Sequence, residues 1–319
     1  MSEKNLKITV LMPVYNDSRY LRQSVCSILN QSFGDFEFLI IDDGSTDGSD
    51  EIIRSFRDSR IVHKKIRHSG LAAALNSGMR NASGDWIARI DADDLSTLRR
   101  LKVQHDHLKK NPGTDVLGSW SVYFSDPDRI LFQINPPADD VKIREFLELH
   151  NPINHSSVIF RKESVLKEGG YDEKFGVYED FELWLRVKNK LSFNIIPESL
   201  VYTRQRKDSL TSLGSKNKIY NLLMKNIKDK YQLGDNPVPD ESTAAKLFWI
   251  EYFYGDKSRS RKFYRPGSGL RKTIAFYNSY LPEYFFNRVK DLRLKQRIES
   301  FKLNRKQYKK ELNHLLNLN

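Results

Sequence analysis

A single cysteine, Cys26, stands in 319 residues. It has no partner for an intramolecular disulfide and offers no Cys-based zinc cluster, which fits a reducing, cytoplasmic setting. No stretch approaches 18 consecutive apolar residues, so no membrane-spanning helix is expected. The N-terminal apolar run is short and ends at Pro13, which is not the pattern of a signal peptide. With only 16 Gly and 11 Pro the chain is neither collagenous nor a low-complexity polymer. Acidic residues are scarce at one end. Residues 251–319 hold 17 Lys and Arg against 6 Asp and Glu, a net +11 of the chain's +12, which leaves residues 1–250 at +1. A nucleic-acid enzyme lines its cleft with basic side chains, and a near-neutral body argues against that class. The basic tail reads either as an attached interaction surface or as a solvated helical face.

What is present is alternation. ITVLM (8–12) reads as a buried strand, and Leu21, Val25, Ile28 and Leu29 mark one face of a helix over 19–31. FEFLIID (36–42) is a second strand, followed by a helix at 51–56, a strand at 60–66, a helix at 70–81 and a strand at 85–90. This spacing predicts an α/β fold, a mostly parallel sheet with helices on both faces. Ligands on such sheets bind beyond the carboxyl ends of the strands, which singles out the loops 13–18, 42–49 and 91–96. From 115 to 205 the pattern shifts to shorter strands (VLGSWSVYF, RILFQI, SSVIF, LSFNII) with helices near 139–149 and 178–190, as in a second half that receives a second ligand. Past Thr211 the strands stop. Residues 235–239 look like a linker, and the remainder reads as helical.

Each loop carries more carboxylate than its geometry requires. Asp91-Ala92-Asp93-Asp94 places three acids in four residues at a strand end, either as a cation site completed by substrate phosphates or as a solvated turn capping a helix near Thr97. The loop from Asp42 to Ser49 has glycines for tight backbone geometry and residues that cap a helix. Its Asp pair exceeds what capping needs, and a carboxylate there can accept a hydrogen bond from a pyrimidine N–H. Tyr178-Glu179-Asp180 opens a helix with an apolar face, where two acids suit the helix dipole or a reaction.

In order, PVYN (13–16), DDGSTDGS (42–49), HSGLAAALNSGM (68–79), RIDADD (89–94), GGYDE (169–173) and YEDFELWLR (178–186) resemble glycosyltransferase family 2 over roughly residues 6–212. The resemblance implies a GT-A fold, with a Rossmann-like nucleotide-sugar half (1–95) joined to an acceptor half (96–212), and a basic, aromatic-rich helical region (213–319). It also implies an inverting transfer of one sugar from a nucleotide-sugar, with Mn²⁺ or Mg²⁺ as cofactor. By the same resemblance Asp43 is the pyrimidine-binding residue, with Tyr15 and Pro13 beside the base and Asp42 in support. Asp91 lies near the ribose and metal, and Asp93 is the direct metal ligand. Asp180 is the general base, and His155 sits near the donor phosphates, though a structural imidazole fits it equally. Arg204 and Arg206 open a segment similar to the family's RxHxxSxS loop over the diphosphate, with Arg206 in place of the histidine. The QxxRW motif of processive synthases is missing, so one sugar per encounter is expected.

UDP-hexose is the expected donor. The expected acceptor is a saccharide hydroxyl, lipid-linked, in cell-surface polysaccharide assembly; a polyprenyl-phosphate sugar synthase and a non-catalytic nucleotide-binding scaffold are the alternatives. The tail interleaves Tyr252, Phe253, Tyr254, Phe263, Tyr264, Phe276, Tyr277, Tyr280, Tyr284, Phe285 and Phe286 with basic residues, the composition of a contact with an anionic membrane surface at the inner face of the cell membrane. Leu294, Ile298, Phe301, Arg305, Tyr308, Leu312 and Leu315 recur with 4-3 spacing, which allows packing on the catalytic body or a homodimer.

Overall fold

Alternation within the strands sets the layers. In the computed structural model β1 (Ile8–Val14) is buried along its whole length. Ile8, Val10, Met12 and Val14 face one hydrophobic cluster, and Leu11 faces the other. β2 (Phe36–Asp42) divides in the same way, Phe36, Phe38 and Ile40 on the first side, Leu39 and Ile41 on the second. Side chains of a strand alternate between faces, so a strand apolar at every position belongs inside a sheet covered on both sides. Helices α1 (Ser18–Leu29) and α2 (Ser49–Ser55) cover one face through Leu21, Val25, Ile28 and Ile53. Helix α3 (Leu71–Asn81) covers the other through Leu75 and Met79.

The structure describes residues 6–206, 221–226, 229, 241–253, 257–264 and 305–318. The chain continues with β3 (Ile61–Lys65), β4 (Trp86–Arg89), β5 (Leu95–Ser96), α4 (Arg100–Lys110), β6 (Val116–Ser125), β7 (Arg129–Ile134), α5 (Asp140–Leu147), a 3-10 turn (His155–Ser157), β8 (Ile159–Arg161), α6 (Lys162–Lys167), α7 (Glu179–Val187) and β9 (Phe193–Arg204). Helices α8 (Glu241–Phe253), α9 (Lys257–Lys262) and α10 (Arg305–Leu316) follow. One nine-stranded sheet runs β3-β2-β1-β4-β8-β6-β9-β5, with β7 on β6. Its first four strands are parallel, β8 joins β4 and β6 antiparallel, and β6 pairs β9 parallel.

The expected α/β architecture is present, with two differences in the second half. β6 and β9 are the longest strands, not short ones, at 10 and 12 residues. The pattern of β9 breaks at Pro197, where the register jumps from Ser119↔Ile196 to Trp120↔Ser199. Two residues bulge out there and a third, Leu200, between Trp120↔Ser199 and Ser121↔Val201, after which the strand resumes, as strands do around a proline. β5 is a two-residue strand paired with β9, too short to show a periodicity.

Pro13 lies in β1, beside both β2 and β4. Leu11 O accepts from Ile90 N and Val14 O from Asp43 N, so odd positions of β1 turn toward β4 and even ones toward β2. The last β1–β4 pair is Leu11↔Arg89. Pro13 therefore faces the space past the end of β4, where its missing N–H costs no ladder bond. The Asp91–Asp94 loop begins just past that end of β4.

The C-terminal helix packs on the body. Leu312 and Leu315 are fully buried with Leu95, Val122, Phe124, Ile130 and Tyr202. Glu311 accepts a 2.7 Å hydrogen bond from Tyr202, and Lys309 pairs with Asp128 at 3.1 Å. Of the two readings of the 4-3 seam, its described part takes packing; Leu294, Ile298 and Phe301 lie outside the described residues. Of the aromatics assigned to a membrane contact, Tyr252 and Phe253 are buried with Phe248 and Trp249, and Phe263 and Tyr264 pack against that cluster. Tyr254, Phe276, Tyr277, Tyr280, Tyr284, Phe285 and Phe286 lie outside the described residues, as does the 235–239 linker. Among the described residues no helix is long and apolar enough to cross a membrane.

Candidate active site

Asp42 and Asp43 end β2, and both side chains are buried. Asp42 Oδ1 accepts from Ser45 N at 2.8 Å and so holds its own loop closed. Gly44 lies at φ 77°, and a Cβ there would meet His68 N at 3.0 Å. Only glycine lets the two loops approach this closely. Asp43 fastens the partner loop: Oδ1 accepts from Ser69 N (2.8 Å) and Ser69 Oγ (3.2 Å), and Oδ2 accepts from Gly70 N (2.9 Å) beside His68 Nδ1 (2.9 Å). Four donors fill both oxygens, so a ligand N–H reaches this carboxylate by replacing one of them. His68 is the replaceable donor, with half its side chain exposed. Its ring stacks on Tyr15 at 4.0 Å between centroids and 16° between planes. Tyr15 is 46% exposed, one of the few large apolar side chains left open to solvent.

The Asp91–Asp94 loop leaves β4 with each acid in a different bond. Asp91 forms a two-pronged ion pair with buried Arg89 and accepts from Ser156 Oγ at 2.9 Å. Asp94 is buried and accepts from Arg204 N at 2.7 Å, which ties the loop to β9. Asp93 meets Arg206 Nη1 at 3.2 Å through Oδ2. Burial, with the Asp91 and Asp17 carboxylates near by, pushes Asp93 up to about 7. Asp93 thus shares one guanidinium, that of Arg206, with Asp17, and its carboxylate oxygens suit Mg²⁺ or Mn²⁺. Among the described residues two groups bring three carboxylate or imidazole ligand atoms within 4.8 Å of one another, His155–Glu179–Asp180 and Asp42–Asp50–His63. Asp93 belongs to neither, so a cation on it draws its remaining ligands from water and substrate.

The two arginines after β9 behave differently. The Arg204 guanidinium lies 4.2 Å from the Tyr20 ring centre and 4.6 Å from that of Phe124. It donates to Asp93 O (2.9 Å), Gln23 Oε1 (3.0 Å) and Asp126. Stacked and hydrogen-bonded on all sides, it braces the acidic loop instead of facing a ligand. Arg206 is partly exposed and bridges Asp17 and Asp93. Residues 207–211 of the same segment lie outside the described residues.

Asp180 stands in the first turn of α7, entered through Tyr178 at φ 75°. Its Oδ2 accepts from Asn151 Nδ2 at 2.7 Å and its Oδ1 from Phe181 N at 2.7 Å. Burial raises it to about 6, against the pull of those two bonds. Burial next to Asp180 drives Glu179 further, to about 8. His155 Nδ1 lies 3.5 Å from Glu179 Oε1, and its Nε2 shares a 2.9 Å hydrogen bond with Tyr171 Oη. Its burial holds it neutral, well below the usual imidazole range. His155 therefore contacts the Glu179–Asp180 pair and Tyr171. Asp17, Asn151, Ser156 and His68 join the site without having been named as site residues. Asp17 lies in the strand-end loop 13–18 and His68 in a motif that the sequence displays, Ser156 lies in the 3-10 turn 155–157 within a segment read as strand, and Asn151 lies in the loop before it.

Comparison with known proteins bears on this geometry. The family model for glycosyl transferase family 2 matches residues 9–170. A glycosyltransferase of Methanocaldococcus jannaschii, MJ1057, is 31% identical over 260 residues, covering 77% of this chain and 85% of the relative. The UDP-Gal:alpha-D-GlcNAc-diphosphoundecaprenol beta-1,3-galactosyltransferase of Escherichia coli is 30% identical over 67% of this chain and 80% of its own. Among solved structures, S. aureus TarS 1–349 in complex with UDP-GlcNAc superposes with a TM-score of 0.58 at 19% identity, covering 92% of this chain and 90% of that one. The mannosyltransferase PcManGT of Pyrobaculum calidifontis, in complex with GDP-Man and Mn²⁺, gives 0.55 at 14% identity, covering 98% and 86%. The sheet, the loops at its strand ends and these matches agree: the chain is a glycosyltransferase of family 2, with the GT-A fold.

Proposed function

We propose that this enzyme moves one hexose from a UDP-sugar to a hydroxyl of a lipid-linked saccharide, with inversion, in the assembly of a cell-surface polysaccharide. The observation that carries the reading is the division of labour among the carboxylates that follow β2 and β4 and open α7. Asp43 after β2 and Tyr15 after β1 flank the His68 ring, Asp93 shares the Arg206 guanidinium with Asp17, and Asp180 stays ionisable beside a protonated Glu179. In this reading residues 1–95 bind the donor and 96–212 the acceptor.

Uracil stacks on the exposed ring of Tyr15, and its N3–H takes the place of His68 on Asp43. Asp93, with Asp91 behind it, holds a divalent cation, Mn²⁺ or Mg²⁺, which when bound supplies positive charge for the departing diphosphate. Arg206 supplies a second positive charge to the same phosphates, and Arg204 keeps the acidic loop in position. Asp180 accepts the acceptor's hydroxyl proton while that oxygen bonds to the anomeric carbon and the bond to the diphosphate breaks. General-base help of this kind contributes roughly 10²–10⁴-fold. Support for the uridine donor and the lipid-diphosphate acceptor comes from the E. coli relative, whose name states both, and from the UDP-GlcNAc complex of the S. aureus fold neighbour. The basic tail brings the enzyme to the anionic surface where such an acceptor resides.

A donor panel tests the proposal. UDP-, GDP- and TDP-hexoses are incubated with Mn²⁺ and a saccharide diphospholipid, and release of nucleoside diphosphate is followed. Turnover of a UDP-sugar with an inverted anomeric centre in the product is the expected result. Turnover confined to GDP-sugars, the donor of the P. calidifontis neighbour, would overturn the uridine assignment.

A further inference from the structure

Arg206 stands where the family's phosphate loop has histidine, and its contacts are of an unusual kind. Its guanidinium donates to Asp17, in the loop before α1, and to Asp93 Oδ2 at 3.2 Å, in the loop after β4, and lies 5.2 Å from the Tyr20 ring centre. It follows directly on Gln205, whose N donates to Phe124 O at 2.7 Å. Arg206 thus lies two residues past the end of β9 at Arg204. An arginine cannot shed its proton in a protein, so its charge leaves Asp93 only when the side chain moves. The Arg206 side chain is 20% exposed, against 2% for Arg204.

We infer that Arg206 is a built-in counter-ion for Asp93, displaced when a divalent cation and the donor diphosphate enter together. Without donor the guanidinium is shared between Asp17 and Asp93. With donor present the cation takes Asp93, and the freed guanidinium pairs with the diphosphate oxygens, whose geometry it fits in a two-pronged fashion. Two positive groups compete for one carboxylate oxygen, so the cation binds weakly until the diphosphate offers Arg206 another anion. Cation and donor then strengthen each other's binding by the same factor, as linkage requires. A histidine can lose its charge, whereas an arginine keeps it, so only the arginine competes with the cation at every pH. The inference rests on the metal-dependent donor reading above.

The test measures binding and needs no turnover. Mn²⁺ binding to the full chain is followed by electron paramagnetic resonance without donor, for wild type, Arg206→Gln and Arg206→Lys. UDP binding at saturating Mn²⁺ is then followed by calorimetry. The two effects have opposite signs. Arg206→Gln binds Mn²⁺ alone about fivefold more tightly than wild type, the scale of a partly exposed ion pair. It binds UDP with Mn²⁺ about tenfold more weakly, the scale of a lost charge-assisted bond. Arg206→Lys falls between the two on both measures. Unchanged affinity for Mn²⁺ alone in Arg206→Gln overturns the counter-ion role, and so does a loss of both affinities, which marks a merely structural contact. Absence of UDP binding in wild type and both variants overturns the donor reading instead, and the inference with it.

Discussion

Glu179 and Asp180 are neighbours in sequence, yet the fold gives them opposite protonation states at neutral pH. Both are raised by burial. Glu179, facing His155 and the Asp180 charge, reaches about 8, while Asp180, held by Asn151 and the Phe181 N–H, stops at about 6. A general base works when ionised, so its contribution is present above its pKa and fades as pH falls through it. Turnover at saturating donor should therefore drop on the acid side across about pH 6, well above the ordinary range for an aspartate. A profile that stays flat down to pH 4.5 would contradict the assignment. The neighbour gives a complementary prediction. A protonated Glu179 is imitated by an amide, so Glu179→Gln should keep turnover within about tenfold of wild type. A collapse of its kcat with donor binding intact would make Glu179 the proton acceptor.

At the scale of elements, α10 connects furthest in sequence to the acidic loop. Gln23 Nε2 donates to Leu316 O at 3.4 Å, its Oε1 accepts from Arg204, and Arg204 donates to Asp93 O. The helix end and the acidic loop are thus three hydrogen bonds apart. Leu312 is fully buried, so Leu312→Ala should destabilise the fold by about 2–5 kcal/mol, read as a shift of the urea midpoint. Removal of residues 305–319 should lower turnover although it deletes no group that touches donor. Unchanged stability and turnover after that truncation would mean that the helix contributes nothing to the site. The sequence shows α10 as an amphipathic seam because Tyr308, Leu312 and Leu315 repeat with helical spacing. It does not show what covers the seam, since Val122, Phe124 and Tyr202 lie about a hundred or more residues away. β1, β2 and β4 are legible for the opposite reason: each is a largely apolar, buried run, and those of β2 and β4 end directly on aspartates. The Pro197 bulge, the antiparallel entry of β8 and the two-residue β5 arise from tertiary pairing, and no local pattern announces them. The acids of the site are legible as carboxylates in excess of capping needs. Asn151 and Ser156 carry no local signal, and Asp17 shows only as part of a strand-end loop, until the fold brings them to those acids.

For the molecule as a whole, charge and chemistry lie at opposite ends of the chain. The near-neutral first 250 residues carry the acidic loops, and the last 69 carry +11. The described aromatics of that region, Tyr252 and Phe253 among them, are spent on internal packing, so electrostatics and the remaining aromatics bear any contact with lipid. The enzyme should float with vesicles containing anionic phosphatidylglycerol and be released as salt shortens the screening length. Flotation equal on neutral vesicles would contradict this account of the tail.

The central claim is that Asp180 accepts the acceptor's proton at a donor site that assembles without it. The most direct test pairs two measurements on Asp180→Asn: UDP affinity in Mn²⁺ by calorimetry, and sugar transfer from the UDP-hexose that wild type uses. The account predicts UDP affinity within about twofold of wild type and transfer reduced by roughly 10²-fold or more. Transfer close to wild type with equal UDP affinity would place the base elsewhere and contradict the account.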